Sequence, residues 1–222
     1  MNPLAESLAF LGQFRAQYQT TGSVLPSSRA LGRALTRPMR RGSRPRRVLE
    51  VGPGTGAVTR VLVDALRPGD TLDIVEINAA FVEVIERRFR EEPAFIRVRE
   101  QCQVRHAPIQ EAPGDGTYDF LISGIPLNNF ATPLVEEIFA SYRRLLKPAG
   151  VLSYFEYAGI RDVKRKMVGP AERTRLTELD VYLKEQLRRY EVGEDFVLFN
   201  VPPAVARHLC FARSAGPVGE NR

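Results

Sequence analysis

"VLEVGPGTG", residues 48–56, is the stretch on which the reading of this chain turns. Val48, Leu49 and Val51 form a short apolar strand that stops at glycines 52, 54 and 56, and an apolar-periodic helix follows from residue 57. Glycines at such a strand-to-helix turn let the backbone bend sharply and leave room for a ligand against the main chain and the helix start. The spacing is G-x-G-x-G, not the dinucleotide G-x-G-x-x-G, and Glu50 stands two residues ahead of the first glycine. A glycine turn alone is weak, because many tight turns use it. Glu76 strengthens it: this acid closes the next strand, "TLDIVEI" (71–77), twenty residues after Gly56. There it can accept hydrogen bonds from both hydroxyls of a ribose. The two features together indicate an adenosine-type ligand, against the plainer reading of Glu76 as a surface acid.

Outward from this loop the chain alternates strands and helices. After Arg47 come "RVLEVG", a helix over 57–67, "TLDIVEI", a helix over 79–92, "QVRHA", "YDFLIS", a helix over 132–147 and "GVLSYFEY". Short apolar strands separated by helices predict an α/β fold with a parallel, doubly wound sheet. A charged helical stretch over 161–190 follows. Then come two strands, "DFVLFNV" and "ARHLCFA", joined around Pro202-Pro203 and placed to form an antiparallel hairpin. Upstream, Leu4, Leu8, Leu11, Phe14 and Tyr18 make one apolar helical stripe over 3–19. A second helix, capped by Ser27 or Ser28, is expected to run to residue 39 with Pro38 near its end. "RRGSRPRR" reads as a basic linker. The expected organisation is a helical N-terminal extension over 1–46, a main domain over 47–213 and a disordered tail over 214–222.

The composition, 44% hydrophobic and 26% charged, is that of a soluble globular protein, and no apolar run approaches the ~20 residues that span a bilayer. Residues 1–14 lack an early basic region and a cleavage site, so a secretory signal is not expected. Cys102, Cys210 and two histidines provide neither a disulfide framework nor a metal set. A reduced, cytoplasmic protein without metal is expected. The net charge of +6 is unevenly placed: residues 1–47 hold nine Arg against Glu6 alone, and the remainder sums to −2. A basic segment on a near-neutral body points to an anionic partner, nucleic acid or a negatively charged membrane face, with a merely solvated basic surface as the alternative.

The loop and the second-strand acid resemble the class I S-adenosyl-L-methionine-dependent methyltransferases. Their E-x-G-x-G-x-G motif is matched by Glu50, Gly52, Gly54 and Gly56, and their strand-two acid by Glu76. The resemblance implies a seven-stranded Rossmann-like sheet with a terminal antiparallel hairpin. It also implies that Ile77 packs on the adenine and that the end of the third strand caps it. Many members carry an acid there; this chain reads "RHAPIQ", so Ala107 and Pro108 are expected to wall the adenine by backbone and shape, with His106 a wall or a plain strand-end residue. Ser123 and Gly124, ending strand four, are expected beside the cofactor.

The substrate end is "LISGIPLNNF", residues 121–130, which holds no Asp, Glu, His, Lys or Cys. In-line methyl transfer to a lone pair needs alignment and dryness, and a carboxylate only where a proton must leave. The rRNA adenine dimethyltransferases share similar loops but place an aromatic after the turn proline to stack a base; here Leu127 follows Pro126. "TGSVLPSSRAL" (21–31), "VLEVGPGTGAVT" and "SGIPLNNF" jointly resemble the bacterial phospholipid N-methyltransferases, which methylate phosphatidylethanolamine towards phosphatidylcholine. Related members act on ornithine lipids. That resemblance implies an N-terminal amphipathic helix that lies on the membrane and closes over the active site; a monomer at the inner face of the cell membrane is expected. Tyr157, Tyr18 and Asn128 are the candidate catalytic residues: rings for a methylated cation and an amide for the amine. Asn129, Arg29 and Arg33 are candidates for the lipid phosphate, with the run Lys164-Arg165-Lys166 offered to anionic headgroups. An RNA N-methyltransferase and a non-catalytic binding module are the competing readings.

Overall fold

A computed structural model describes residues 28–40, 45–159 and 167–212. The expected helix over 3–19 with Tyr18, the run 164–166 and the tail 214–222 lie outside the described residues. Seven strands form one mixed sheet: β1 Arg47–Val51, β2 Thr71–Glu76, β3 Cys102–His106, β4 Tyr118–Ser123, β5 Leu146–Tyr157, β6 Glu191–Val197 and β7 Ala204–Leu209. Their order is β3-β2-β1-β4-β5-β7-β6. Strands β1 to β5 pair in parallel, and β7 runs antiparallel to both β5 and β6. Among the described residues the helices are α1 Arg29–Leu35, α2 Ala57–Ala65, α3 Ala79–Glu91, the short α4 Pro93–Ile96, α5 Thr132–Leu145 and α6 Pro170–Tyr190. The doubly wound α/β sheet with its antiparallel C-terminal pair is the expected architecture.

Each face of the sheet has its own apolar layer. On one, Val135, Phe139 and Tyr142 of α5 and Leu179 and Leu183 of α6 cover Leu49, Leu121 and Tyr154. On the other, Leu31, Leu62, Ile85 and Phe95, one from each of α1 to α4, cover Val48, Ile74 and Ala206. Strand side chains alternate between faces, so Glu50 and Glu76 share the second face with Val48 and Ile74. The same alternation sends Ser123 to the first face with Leu121, and Tyr157 to the second with Phe155.

Several boundaries differ from expectation. Ser28 caps α1, its Oγ accepting the Leu31 N–H at 3.1 Å. That helix ends at Leu35, short of residue 39, and Pro38 falls in a 3-10 turn over Arg37–Arg40, because proline has no N–H with which to continue an α-helix. The end of the basic linker is structural rather than solvated. Arg46 is buried, and its Nε donates to Asp70 at 3.0 Å while its backbone N–H donates to the same carboxylate at 2.7 Å. β5 begins at Leu146 rather than 150; of the helical stretch expected over 161–190, α6 occupies Pro170–Tyr190, and residues 161–166 lie outside the described residues. The last two strands also lie earlier than their apolar residues implied. β6 follows α6 directly and ends at Val197, so Leu198, Phe199 and Val201 fall in the connection to β7, all exposed. An edge strand is held by its ladder and need not be apolar, which is why hydrophobicity misplaced it.

Candidate active site

The carboxyl ends of β1, β2 and β4 meet at a cradle of main chain. Gly52, Gly54 and Gly56 have φ of 66°, 56° and 83°, in the left-handed region that other residues avoid. The Gly52 N–H donates to the Val75 carbonyl at 2.9 Å and the Gly124 N–H to that of Val51 at 2.8 Å, fastening the loop to both neighbouring strand ends. Close approach explains Gly124: a Cβ there would stand 2.3 Å from the Gly52 oxygen. Gly54 differs, since a Cβ there would meet no atom within 4 Å. The loop is therefore tight beneath and open above, the shape of a seat for a ligand.

Two buried acids flank the seat. Glu76 accepts the Asn78 N–H at 2.8 Å on one oxygen and the Gly54 N–H at 3.2 Å on the other. A carboxylate has about four acceptor positions, so capacity remains for a ribose diol. Burial raises the Glu76 pKa, against the pull of those backbone donors and of the nearby His106. Glu50 is 1% exposed, and neither of its oxygens has a hydrogen-bond partner. Burial pushes its pKa up to about 8; the Thr59 hydroxyl opposes the shift and the Glu76 charge adds to it. A buried carboxylate without a donor is costly unless a cation or donor arrives. The ammonium of a bound S-adenosylmethionine would supply one.

The other expected cofactor residues divide. The Ala107 N–H donates to the Glu76 carbonyl at 3.1 Å, and the His106 ring Nε2 lies 3.0 Å from the Ile77 carbonyl. The ends of β2 and β3, with Ile77, Ala107 and Pro108 half-buried, thus form one continuous lip. His106 ties this lip together. The Ser123 side chain faces away from the seat: it is fully buried, its Oγ 2.7 Å from the Tyr142 hydroxyl, and it accepts the Ile125 N–H at 3.2 Å. Its part is to hold the turn, and the backbone of Gly124 is what borders the loop.

The expected substrate residues fall into two groups. Asn128 and Asn129 lie in a 3-10 turn, Leu127–Asn129, which Arg175 of α6 clamps by donating to the carbonyls of Asn128 (3.0 Å) and Phe130. The Asn128 Oδ1 is buried without a hydrogen-bond partner. Leu127 beside it is core. Tyr157 ends β5 on the opposite face, its ring edge-on to Phe155 at 5.3 Å and packed in the layer that includes α1. Arg29 and Arg33 are exposed on α1, and neither forms an ion pair among the described residues. Arg175 and Tyr142 went unnoticed in the sequence, where nothing local marks them; each acts on a turn that only the fold brings near. Among the described residues no group of acids, histidines and cysteines is arranged to hold a metal, and no helix is long and apolar enough to cross a membrane.

This sheet order, with its antiparallel C-terminal pair, is that of the Rossmann-like methyltransferase fold, and the strand-one glycine seat with its buried acid and the strand-two acid at its rim lie at the carboxyl edge of that fold. Residues 48–150 match the family model described as "Methyltransferase domain". The chain is 28% identical over 144 residues, 65% of its length and 74% of the relative's, to an ornithine lipid N-methyltransferase of Singulisphaera acidiphila. It is 30% identical over 113 residues to a compactin diketide synthase of Penicillium citrinum, but those are 50% of this chain and 4% of that much longer protein. Among solved structures, the 1,6-didemethyltoxoflavin N1-methyltransferase of Burkholderia thailandensis superposes with a TM-score of 0.60 at 17% identity, covering 96% of this chain and 90% of that one. A SAM-dependent methyltransferase of Aquifex aeolicus gives 0.51 at 18% identity over 79% of this chain and 88% of its own. At such identities the superpositions establish the fold.

Proposed function

We propose that the chain transfers the methyl group of S-adenosylmethionine to the headgroup amine of a membrane lipid. Ornithine lipid is the first substrate to test and phosphatidylethanolamine, towards phosphatidylcholine, the second. The observation that carries this reading is the likeness to an ornithine lipid N-methyltransferase, which spans 144 residues and so is longer than the stretch 48–150 matched by the family model. The turn after β4 supports it: Leu127 is buried and offers no ring face to a nucleobase, while Asn128 presents an unpartnered amide oxygen able to accept an amine N–H.

The cofactor supplies an electrophilic methyl on sulfur. The substrate amine would have to be neutral to present its lone pair to that methyl, and the ammonium left after transfer would shed a proton before any further round. Asn128 would hold the amine by one N–H with its lone pair towards the methyl, and alignment of this kind is worth several orders of magnitude in rate. Arg175 would keep that turn in place. The Tyr157 ring would face the cation that grows as donors are replaced by methyls. Arg29 and Arg33 would receive the lipid phosphate or carboxylate. The reaction would run at the cytoplasmic face of the membrane.

Incubation with radiolabelled S-adenosylmethionine and vesicles containing ornithine lipid, phosphatidylethanolamine or neither, with ribosomal RNA in a parallel tube, tests the reading. Label is expected in the lipid fraction. Label in RNA alone would overturn it.

A further inference from the structure

We propose that the connection between β6 and β7 is a membrane-inserting loop that seats the active-site edge of the sheet on an anionic lipid surface. Phe196, Leu198, Phe199 and Val201 are 64%, 63%, 83% and 66% exposed, four large apolar side chains within six residues. Connecting loops are ordinarily polar outwards, and a cluster of exposed apolar residues marks a binding surface. Here the polarity is inverted. The polar residue, Asn200, is the buried one: its Oδ1 accepts the Ser28 N–H at 3.0 Å and its Nδ2 donates to the Pro202 carbonyl at 2.8 Å. The Ala158 N–H donates to Pro203 at 2.8 Å, so the loop is fastened to the end of β5 as well as to α1. It is a built feature that holds hydrophobes towards solvent.

Its place and its surroundings identify the occupant. β7 is antiparallel and β6 parallel to β5, so the end of β6 and the start of β7 lie at the carboxyl edge, with Tyr157 opposite Ala204. Two strand spacings, roughly 10 Å, separate β7 from the end of β4 and its turn. Loop and turn thus share one edge of the sheet, so the loop would meet acyl chains while a headgroup reached the turn. Charge is complementary too: the α1 segment fastened to the loop carries the exposed Arg29, Arg33 and Arg40, beside Arg37, which pairs with Asp195 of β6 at 2.6 Å, and no acid from Ser28 to Arg40. Apolar side chains flanked by arginines match an anionic bilayer interface. The inference rests on the reading of the substrate as a membrane lipid.

The natural sequence has no tryptophan, so F199W in the full chain is a single reporter. Its emission should shift to the blue with phosphatidylglycerol-containing vesicles, much less with pure phosphatidylcholine, and be quenched by brominated acyl chains. The full chain carrying Leu198→Ser with Phe199→Ser should pellet with those vesicles about tenfold less well, equal to about 1.4 kcal/mol. It should keep wild-type cofactor affinity and wild-type methylation of a short-chain aminolipid dissolved as monomers. Pelleting without change in F199W emission would overturn the proposal, as would a blue shift that follows protein concentration without vesicles, the mark of a second copy or another protein as occupant. If F199W inserts but no lipid is ever methylated, the loop assignment stands and the substrate reading falls.

Discussion

Glu76, at the end of β2, accepts a hydrogen bond at 3.2 Å from the backbone N–H of Gly54, at the tip of the glycine loop. One carboxylate thus fixes the seat and keeps acceptor capacity for a ribose. Glu76→Ala should weaken S-adenosylmethionine binding by about 1–3 kcal/mol, the scale of lost buried hydrogen bonds. Glu76→Gln, which retains one acceptor oxygen, should fall between it and the parent. Calorimetric titration reads both, and an unchanged affinity in Glu76→Ala would remove the acid from the site.

Glu50 ties function to stability. Burial raises its pKa from 4.5 to about 8. A raised carboxylate favours the folded state most below the unfolded value, and that advantage drains away as pH climbs from about 4.5 to about 8. Glu50→Gln should therefore gain stability over the parent as pH rises, by about 1–3 kcal/mol at pH 8, or roughly 3–9 °C in Tm. The same variant should lose cofactor affinity. In the parent, an arriving ammonium would favour the ionised form, so binding near pH 6.5 should release close to one proton, detectable as a dependence of binding heat on the buffer's ionisation enthalpy.

Two glycines of the seat should separate folding from binding. Gly124→Ala places a Cβ 2.3 Å from the Gly52 oxygen, and overpacking of main chain should cost about 2–3 kcal/mol of stability. Gly54→Ala meets no protein atom, so its stability cost should be confined to about 1–2 kcal/mol for the left-handed backbone. Its cofactor affinity should fall more than that strain explains, because the new methyl occupies the open seat. Thermal melts with titrations on both variants check the contrast.

Arg175 reaches the turn after β4 from α6, forty-seven residues along the chain from Asn128. Arg175→Ala should lower kcat by about 10–100-fold through misplacement of Asn128 while leaving cofactor affinity within about twofold. Steady-state kinetics beside a binding titration distinguishes this from general destabilisation, which would move both. Asn128→Ala should show the same split.

Much of this chain declares itself locally. Glycines at 52, 54 and 56 state a backbone conformation outright, because few other residues tolerate it, and alternating apolar runs placed the first five strands. The acids Glu50 and Glu76 were legible because their distance from the glycines is a property of the chain. Tertiary structure alone decided what each buried polar group meets. The Ser123 hydroxyl turned to Tyr142, Arg46 left the linker for Asp70, and Arg175 found the turn, all pairings between residues far apart in sequence. It also decided that Leu198, Phe199 and Val201, whose hydrophobicity reads as strand, stand in the open while Asn200 is buried. Periodicity and backbone preference are short-range and survive in the string of residues; burial and hydrogen-bond partnership arise only when distant segments pack.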